Sequence, residues 1–153
     1  MQIYLLRHGI AEDGKPGRPD SERALTDEGR AKLRRVLRRA RSADVSPSLI
    51  LSSTYRRAIE TAEEAADVLR YKGDVVRSGA FAPEASAAQA WEEIRLHQAE
   101  PAVLVASHEP LMSSAVAYLL GYPGVSVDMK KAGLVRIDVD RLGPEPRGVL
   151  NGC

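Results

Sequence analysis

The chain has 153 residues, of which 44% are hydrophobic and 28% charged, the balance of an ordinary globular domain and not of a disordered chain. Lys and Arg number 22 against 21 Asp and Glu, leaving a net charge of +1, so charge gives no reason to expect a nucleic-acid or membrane partner. The one cysteine, Cys153, has no second thiol to pair with, which excludes an intrachain disulfide and zinc sites built on Cys pairs. One domain over residues 1–153 is the expected organisation.

Residues 3–6 form an apolar run with a β-branched and an aromatic member, cut off by Arg7 and Gly9. That predicts a buried strand ending in a sharp loop. The run is too short for a signal peptide or a membrane span, and no later stretch is long enough, so a cytoplasmic protein is expected. Residues 12–23 are rich in Pro, Gly and charge and read as a surface loop. Thr26 then reads as a helix N-cap, with Asp27 and Glu28 in the first turn and Leu33, Val36, Leu37 and Ala40 at helical spacing. Residues 49–51 predict a second buried strand. Ile59, Ala62, Ala66 and Leu69 mark a helix over residues 55–71, with Gly73 as its stop.

Val75 and Val76 suggest a short strand, and Ala87, Ala90, Trp91 and Ile94 a third helix, with Trp91 and Phe81 in the core and His97 as a partly exposed helical residue. Residues 102–106 are the clearest buried strand. Pro110 suits the first turn of a helix lined by Met112, Ala115, Val116 and Leu119 and ended by Gly121. Val135, Ile137 and Val139 alternate with Arg136, Asp138 and Asp140, the pattern of a strand with one wet face. Strands alternating with helices predict an α/β fold, a three-layer α/β/α sandwich with a mostly parallel central sheet. The first helix is strongly basic (Arg30, Lys32, Arg34, Arg35, Arg38, Arg39, Arg41), and the acidic second helix (Glu60, Glu63, Glu64, Asp67) is its expected counterweight. Docking to an acidic phosphoprotein surface is the other reading of that charge.

In such a sheet ligands bind beyond the carboxyl ends of the strands. Arg7, His8 and Gly9 follow the first strand, Ser52, Ser53, Arg56 and Arg57 the second, and Ser107 and His108 the strand at 102–106. Histidine after a strand is commonly structural, but arginine and histidine at several strand ends together suit a tetrahedral oxyanion. Guanidinium groups bind phosphate oxygens through paired, charge-assisted hydrogen bonds. An imidazole held among them is biased toward its neutral, nucleophilic form. No metal-binding or nucleotide-binding motif stands in the chain, so no metal and no cofactor are expected.

These segments resemble the histidine phosphatase superfamily, also called phosphoglycerate-mutase-like. Arg7-His8-Gly9 is similar to its signature, and residues 23–29 (Arg-Ala-Leu-Thr-Asp-Glu-Gly) to its Arg-x-Leu-Thr-x-x-Gly segment. Residues 53–61 resemble its Ser-Pro-x-x-Arg-Ala-x-x-Thr segment with Thr54 in place of proline, and Ser107-His108 its second catalytic histidine. The short chain, without room for a long lid, looks most like the SixA-type phosphohistidine phosphatases. The resemblance implies that His8 attacks phosphorus and is transiently phosphorylated, while Arg7, Arg57 and His108 hold the phosphoryl oxygens and Arg23 contacts the rim. The register of Ala58 and Thr61 selects Arg57 over Arg56. Glu84 and Glu109 are the candidate acids, though both read more simply as helix-start or surface residues. The implied substrate is a phosphohistidine on a partner protein, such as a histidine-containing phosphotransfer domain, taken by a monomer. The alternatives are a small-molecule phosphomonoesterase of the same superfamily and a non-catalytic phosphoprotein-binding module.

Overall fold

The computed structural model describes residues 1–152; Cys153, which entered above only to exclude a disulfide and zinc sites built on Cys pairs, lies outside the described residues. The strands are β1 (Gln2–Arg7), β2 (Leu49–Ser52), β3 (Val75–Arg77), β4 (Ala102–Ser107), β5 (Leu134–Arg141) and β6 (Arg147–Leu150). The helices are α1 (Asp27–Ser42), α2 (Arg56–Val68), α3 (Ala87–Arg95) and α4 (Leu111–Leu120), with short 3-10 turns at Asp20–Glu22 and Gly79–Phe81. One sheet has the order β3-β2-β4-β1-β5-β6. Strands β3, β2, β4 and β1 run parallel, and β5 and β6 close the edge antiparallel. No helix among the described residues is long and apolar enough to cross a membrane.

Strand side chains alternate between faces, and in the central strands β2, β4 and β1 both faces are dry. Ile3 and Leu5 of β1 and Val103 and Val105 of β4 join Trp91, Ile94, Met112 and Val116 from α3 and α4. Tyr4, Leu6 and Leu104 join Leu33 and Leu37 of α1 and Ala62 and Ala65 of α2 on the other face. The sheet is therefore covered by α1 and α2 on one side and by α3 and α4 on the other, the three-layer sandwich that the alternating pattern predicts. Phe81 and Trp91 are buried as expected, and the indole N–H of Trp91 donates to Gly143 O at 2.8 Å. The counterweight to the basic helix is also real: Arg30 pairs with Glu60 and Glu64, and Arg34 with Glu64 and Asp67.

Local signals set most element ends. The Thr26 hydroxyl accepts from Gly29 N at 2.9 Å and caps α1. Gly29 must be glycine, because a Cβ there would sit 2.2 Å from Ile10 O. Gly121 ends α4 in the left-handed region, with φ 70°. Two expectations are corrected. Helix α2 stops at Val68, and the left-handed residue beyond it is Arg70 (φ 59°), so Gly73 is not the stop. His97 lies past the end of α3, in a turn where its N–H donates to Ile94 O. Strand β6 is an addition, with no sequence signal strong enough to predict it.

Candidate active site

The strand register builds the site. In the sheet order β2-β4-β1, Arg7 pairs across from Ser107, and Ser52 across from Ala106. Each strand's next residue therefore steps off the same edge: Ser53 after β2, His108 after β4 and His8 after β1. Backbone bonds keep the three exits together, with His8 N donating to Ser107 O at 2.9 Å and Ser53 N to Ala106 O at 3.0 Å. Helix α2 begins just beyond and delivers Arg57 from its first turn.

His8 is 7% exposed and His108 2% exposed, with ring centroids 5.2 Å apart. His8 Nδ1 lies 2.7 Å from Gly9 O. A carbonyl can only accept, so Nδ1 carries the proton and the lone pair of the neutral ring is on Nε2. Arg57 Nε points at that Nε2 from 3.4 Å. Burial, aided by the charges of Arg57 and Arg7, pushes the His8 imidazole down to about 4, against the opposing pull of its bond to Gly9. Burial, with His8 and Arg57 beside it, takes His108 down to about 3. Both rings are neutral at pH 7.

The supports are as specific as the reactive groups. Gly9 N donates to Thr61 Oγ1 at 3.2 Å, and the Thr61 hydroxyl donates to Arg57 O at 2.7 Å, so one buried threonine ties the β1 exit to α2. The Ser53 hydroxyl lies 2.7 Å from His108 Nε2 and accepts from Tyr55 N. Tyr55 meets the His108 ring edge-on and lies under the Arg57 guanidinium, 5.0 Å from its carbon. Arg7 Nη1 donates to Met129 O at 2.8 Å. Arg7 Nε and His108 Nδ1 are both buried without a hydrogen-bond partner, which is costly unless a ligand atom comes to them.

The sequence-named residues thus divide. Arg7, His8, Arg57 and His108 converge. Arg57 is 5% exposed, while Arg56 turns outward to Glu60. Arg23 stands at the rim, with Nε on Asp20 Oδ1 at 2.8 Å and Nη1 on Glu12 O. The Glu109 carboxylate is committed to the start of α4, where it accepts from Ser113 N and the Ser113 hydroxyl. Glu84 is exposed in the turn before α3, apart from every contact described above. Sequence reasoning assigned no role to Asp20 or Tyr55. The signal for Tyr55 was its place inside the 53–61 segment; Asp20, in a loop of polar turn residues, gave none.

A buried neutral histidine facing guanidinium groups at the carboxyl edge of a parallel sheet defines an oxyanion-handling α/β protein. Residues 3–77 match the family model of the histidine phosphatase superfamily (branch 1), and the chain belongs to that superfamily. An uncharacterized protein of Picosynechococcus sp. is 34% identical over 139 residues, covering 88% of this chain and 83% of the relative. A structure of the protein histidine phosphatase SixA complexed with tungstate superposes with a TM-score of 0.87 at 27% identity, over 99% of this chain and 94% of that one. A protein of Agrobacterium tumefaciens provisionally assigned as the phosphohistidine phosphatase SixA matches with a TM-score of 0.79 at 25% identity, over 90% of each chain. The fold is also that of mycobacterial glucosyl-3-phosphoglycerate phosphatase, with a TM-score of 0.77 at 16% identity and coverage of 99% of this chain and 97% of that one.

Proposed function

We propose that the protein removes the phosphoryl group from phosphohistidine on a partner protein, through a covalent intermediate on His8. The observation that carries this reading is the lone pair of His8 Nε2, fixed by the Nδ1–Gly9 bond and kept unprotonated by burial. In the first step that lone pair forms a bond to phosphorus as the bond from phosphorus to the substrate nitrogen breaks. The bonding pair leaves on the substrate nitrogen, and a proton taken from water on the other nitrogen of that ring makes the departing group a neutral imidazole. In the second step water attacks the phosphorylated His8, the N–P bond breaks back to Nε2, and orthophosphate leaves with the water's oxygen.

Arg7 and Arg57 bind the non-bridging oxygens, where preorganised donors supply most of the stabilisation in phosphoryl transfer. The reading takes the tautomer in which the Ser53 hydroxyl donates to His108 Nε2, 2.7 Å away, and the His108 proton sits on Nδ1, which has no partner of its own. That otherwise unpaired N–H then meets a phosphoryl oxygen. A phosphohistidine substrate is supported by what surrounds the arginines. Burial pulls the carboxyl paired with Arg57, that of Asp20, upward, but hydrogen bonds from Arg23 and Arg57 outweigh that pull and hold it below its ordinary value, so it is no proton donor at neutral pH. An imidazole leaves with less help than an alkoxide. Likeness to SixA structures supports the same substrate class. The reading takes the protein as a monomer whose activity survives metal chelation.

The test compares phosphate release from a phosphohistidine-bearing phosphotransfer domain and from p-nitrophenyl phosphate, with EDTA present, for wild type and His8→Ala. The reading requires faster release from phosphohistidine, and loss of that release in His8→Ala. Preference for the ester would move the assignment to a small-molecule phosphatase. Phosphate binding without release from either compound would leave only a binding module.

A further inference from the structure

The segment between β1 and α1 has the composition of a surface loop, yet Asp20 in it is wired into the site. Its Oδ2 accepts from Arg57 Nη2 at 3.1 Å, and its backbone carbonyl accepts from Arg57 Nη1 at 2.9 Å. Its other carboxylate oxygen, Oδ1, accepts from Arg23 Nε at 2.8 Å. A single residue therefore occupies the outer fork of the Arg57 guanidinium and joins it to a second arginine. The loop is itself braced: Arg23 Nη1 donates to Glu12 O at 2.8 Å, and the Glu12 carboxylate accepts from Ala24 N at 3.0 Å.

A guanidinium is planar and its N–H groups point in fixed directions. With Nη1 and Nη2 engaged from outside by Asp20, the edge that carries Nε and the remaining Nη2 hydrogen faces inward. That edge is directed at the nucleophile, with Arg57 Nε 3.4 Å from His8 Nε2. Asp20 holds the side of the guanidinium turned away from His8, so an entering phosphoryl group need not displace it. Without the carboxylate, Arg57 and Arg23 would face each other as uncompensated like charges, and a flexible side chain would lose its outer anchor. The Asp20 side chain itself is 58% exposed against 6% for that of Arg57, so these bonds, and not packing, hold it in place.

We propose that Asp20 is a positioning residue, which locks the inner edge of Arg57 toward the phosphoryl group on His8 and draws Arg23 to the same rim. This rests on the reading of His8 and Arg57 as the phosphoryl site. The test uses Asp20→Asn, Asp20→Ala and Asp20→Glu, with Glu22→Gln as a control that removes a charge from the same 3-10 turn. Two readouts are taken: kcat and KM for p-nitrophenyl phosphate, and the solvent exchange rate of the Arg57 Nε–H proton by NMR, assigned through its loss in Arg57→Lys. Misplacing a catalytic group by about an ångström can cost on the order of 100-fold. Asp20→Ala should therefore lower kcat by about 10- to 100-fold with KM changed much less, Asp20→Asn should fall between, and Asp20→Glu should recover part of the loss. The Arg57 Nε–H should exchange about tenfold faster or more in Asp20→Ala, since its anchored geometry is lost. The control should match wild type in both readouts. Wild-type kcat in Asp20→Ala, or a lower KM with kcat retained as expected of a competing anion, would overturn the proposal. An unchanged Arg57 exchange rate would overturn it as well. Should wild type hydrolyse no phosphate compound, the functional reading fails, and the exchange rate alone still decides whether Asp20 locks Arg57.

Discussion

Acidification from about pH 7 to pH 5 should destabilise the protein through its two buried histidines. In the unfolded chain both titrate near the ordinary value of 6.5, whereas in the folded chain His8 takes a proton only near 4 and His108 only near 3. Below about pH 6.5 the unfolded state therefore binds more protons, and stability falls with pH. Stability from this source is complete above about 6.5 and is lost progressively down to the folded values. Each pH step of one below 6.5 costs about 1.4 kcal/mol for a ring that stays neutral in the fold, so each histidine should cost about 2 kcal/mol by about pH 5. The rings lie 5.2 Å apart, and His8 helps to keep the proton off His108; down to about pH 5 both stay neutral in the fold, so the two costs add. The assay is urea unfolding at fixed ionic strength at several pH values between about 7 and 5, where most carboxylates stay ionised. Wild type should show the steep loss, and His108→Gln should show about half the slope, whatever its stability at pH 7. Parallel curves for the two proteins would refute the argument that burial keeps His108 neutral.

Arg57→Lys should lower kcat/KM for a phosphate substrate by about 10- to 100-fold, because a lysine has no planar fork; Arg56→Lys, whose side chain faces Glu60, should stay within about twofold of wild type. Thr61→Val leaves the buried Gly9 N–H without its acceptor. Chemical denaturation should register a loss of about 1–3 kcal/mol, and kcat should drop as the β1 exit loosens. Gly29→Ala forces a Cβ to within 2.2 Å of Ile10 O, so a loss of about 1–3 kcal/mol or more is expected by the same method. An alanine tolerated there at no cost would show that the β1–α1 loop is free to shift.

The sheet was legible where burial decides the pattern. Continuous apolar runs at β1 and β4 and the alternation of β5 state their own environments, and the residues after β1, β2 and β4 could be named as site candidates before any contact was known. Arg57 could be told from Arg56 by motif register alone, and its burial agrees. Helix α2 shows where such reading fails: a glycine signals a stop, but Arg70 adopts the left-handed turn first, and sequence does not exclude a non-glycine residue from φ 59°. Strand β6 (Arg147–Leu150) is short, edge-paired with β5 and mostly exposed, so it lacks the apolar pattern by which strands are found. Asp20 was invisible for a different reason. Its role comes from a contact across the fold, to Arg57, joined to local bonds through Arg23 to Glu12, and a polar loop carries no local sign of the first.

Trapping the covalent intermediate would decide most directly whether His8 is the nucleophile. Wild-type protein is mixed with a phosphotransfer domain labelled with radioactive phosphate on histidine, quenched within milliseconds in alkali, and the labelled peptide is sequenced by mass spectrometry. An acid-labile, alkali-stable phosphoryl group should form on His8 and decay at rates consistent with turnover, and none should form in His8→Ala. Phosphate released at full rate with no label on His8, or with label on His108 instead, would contradict a His8 nucleophile.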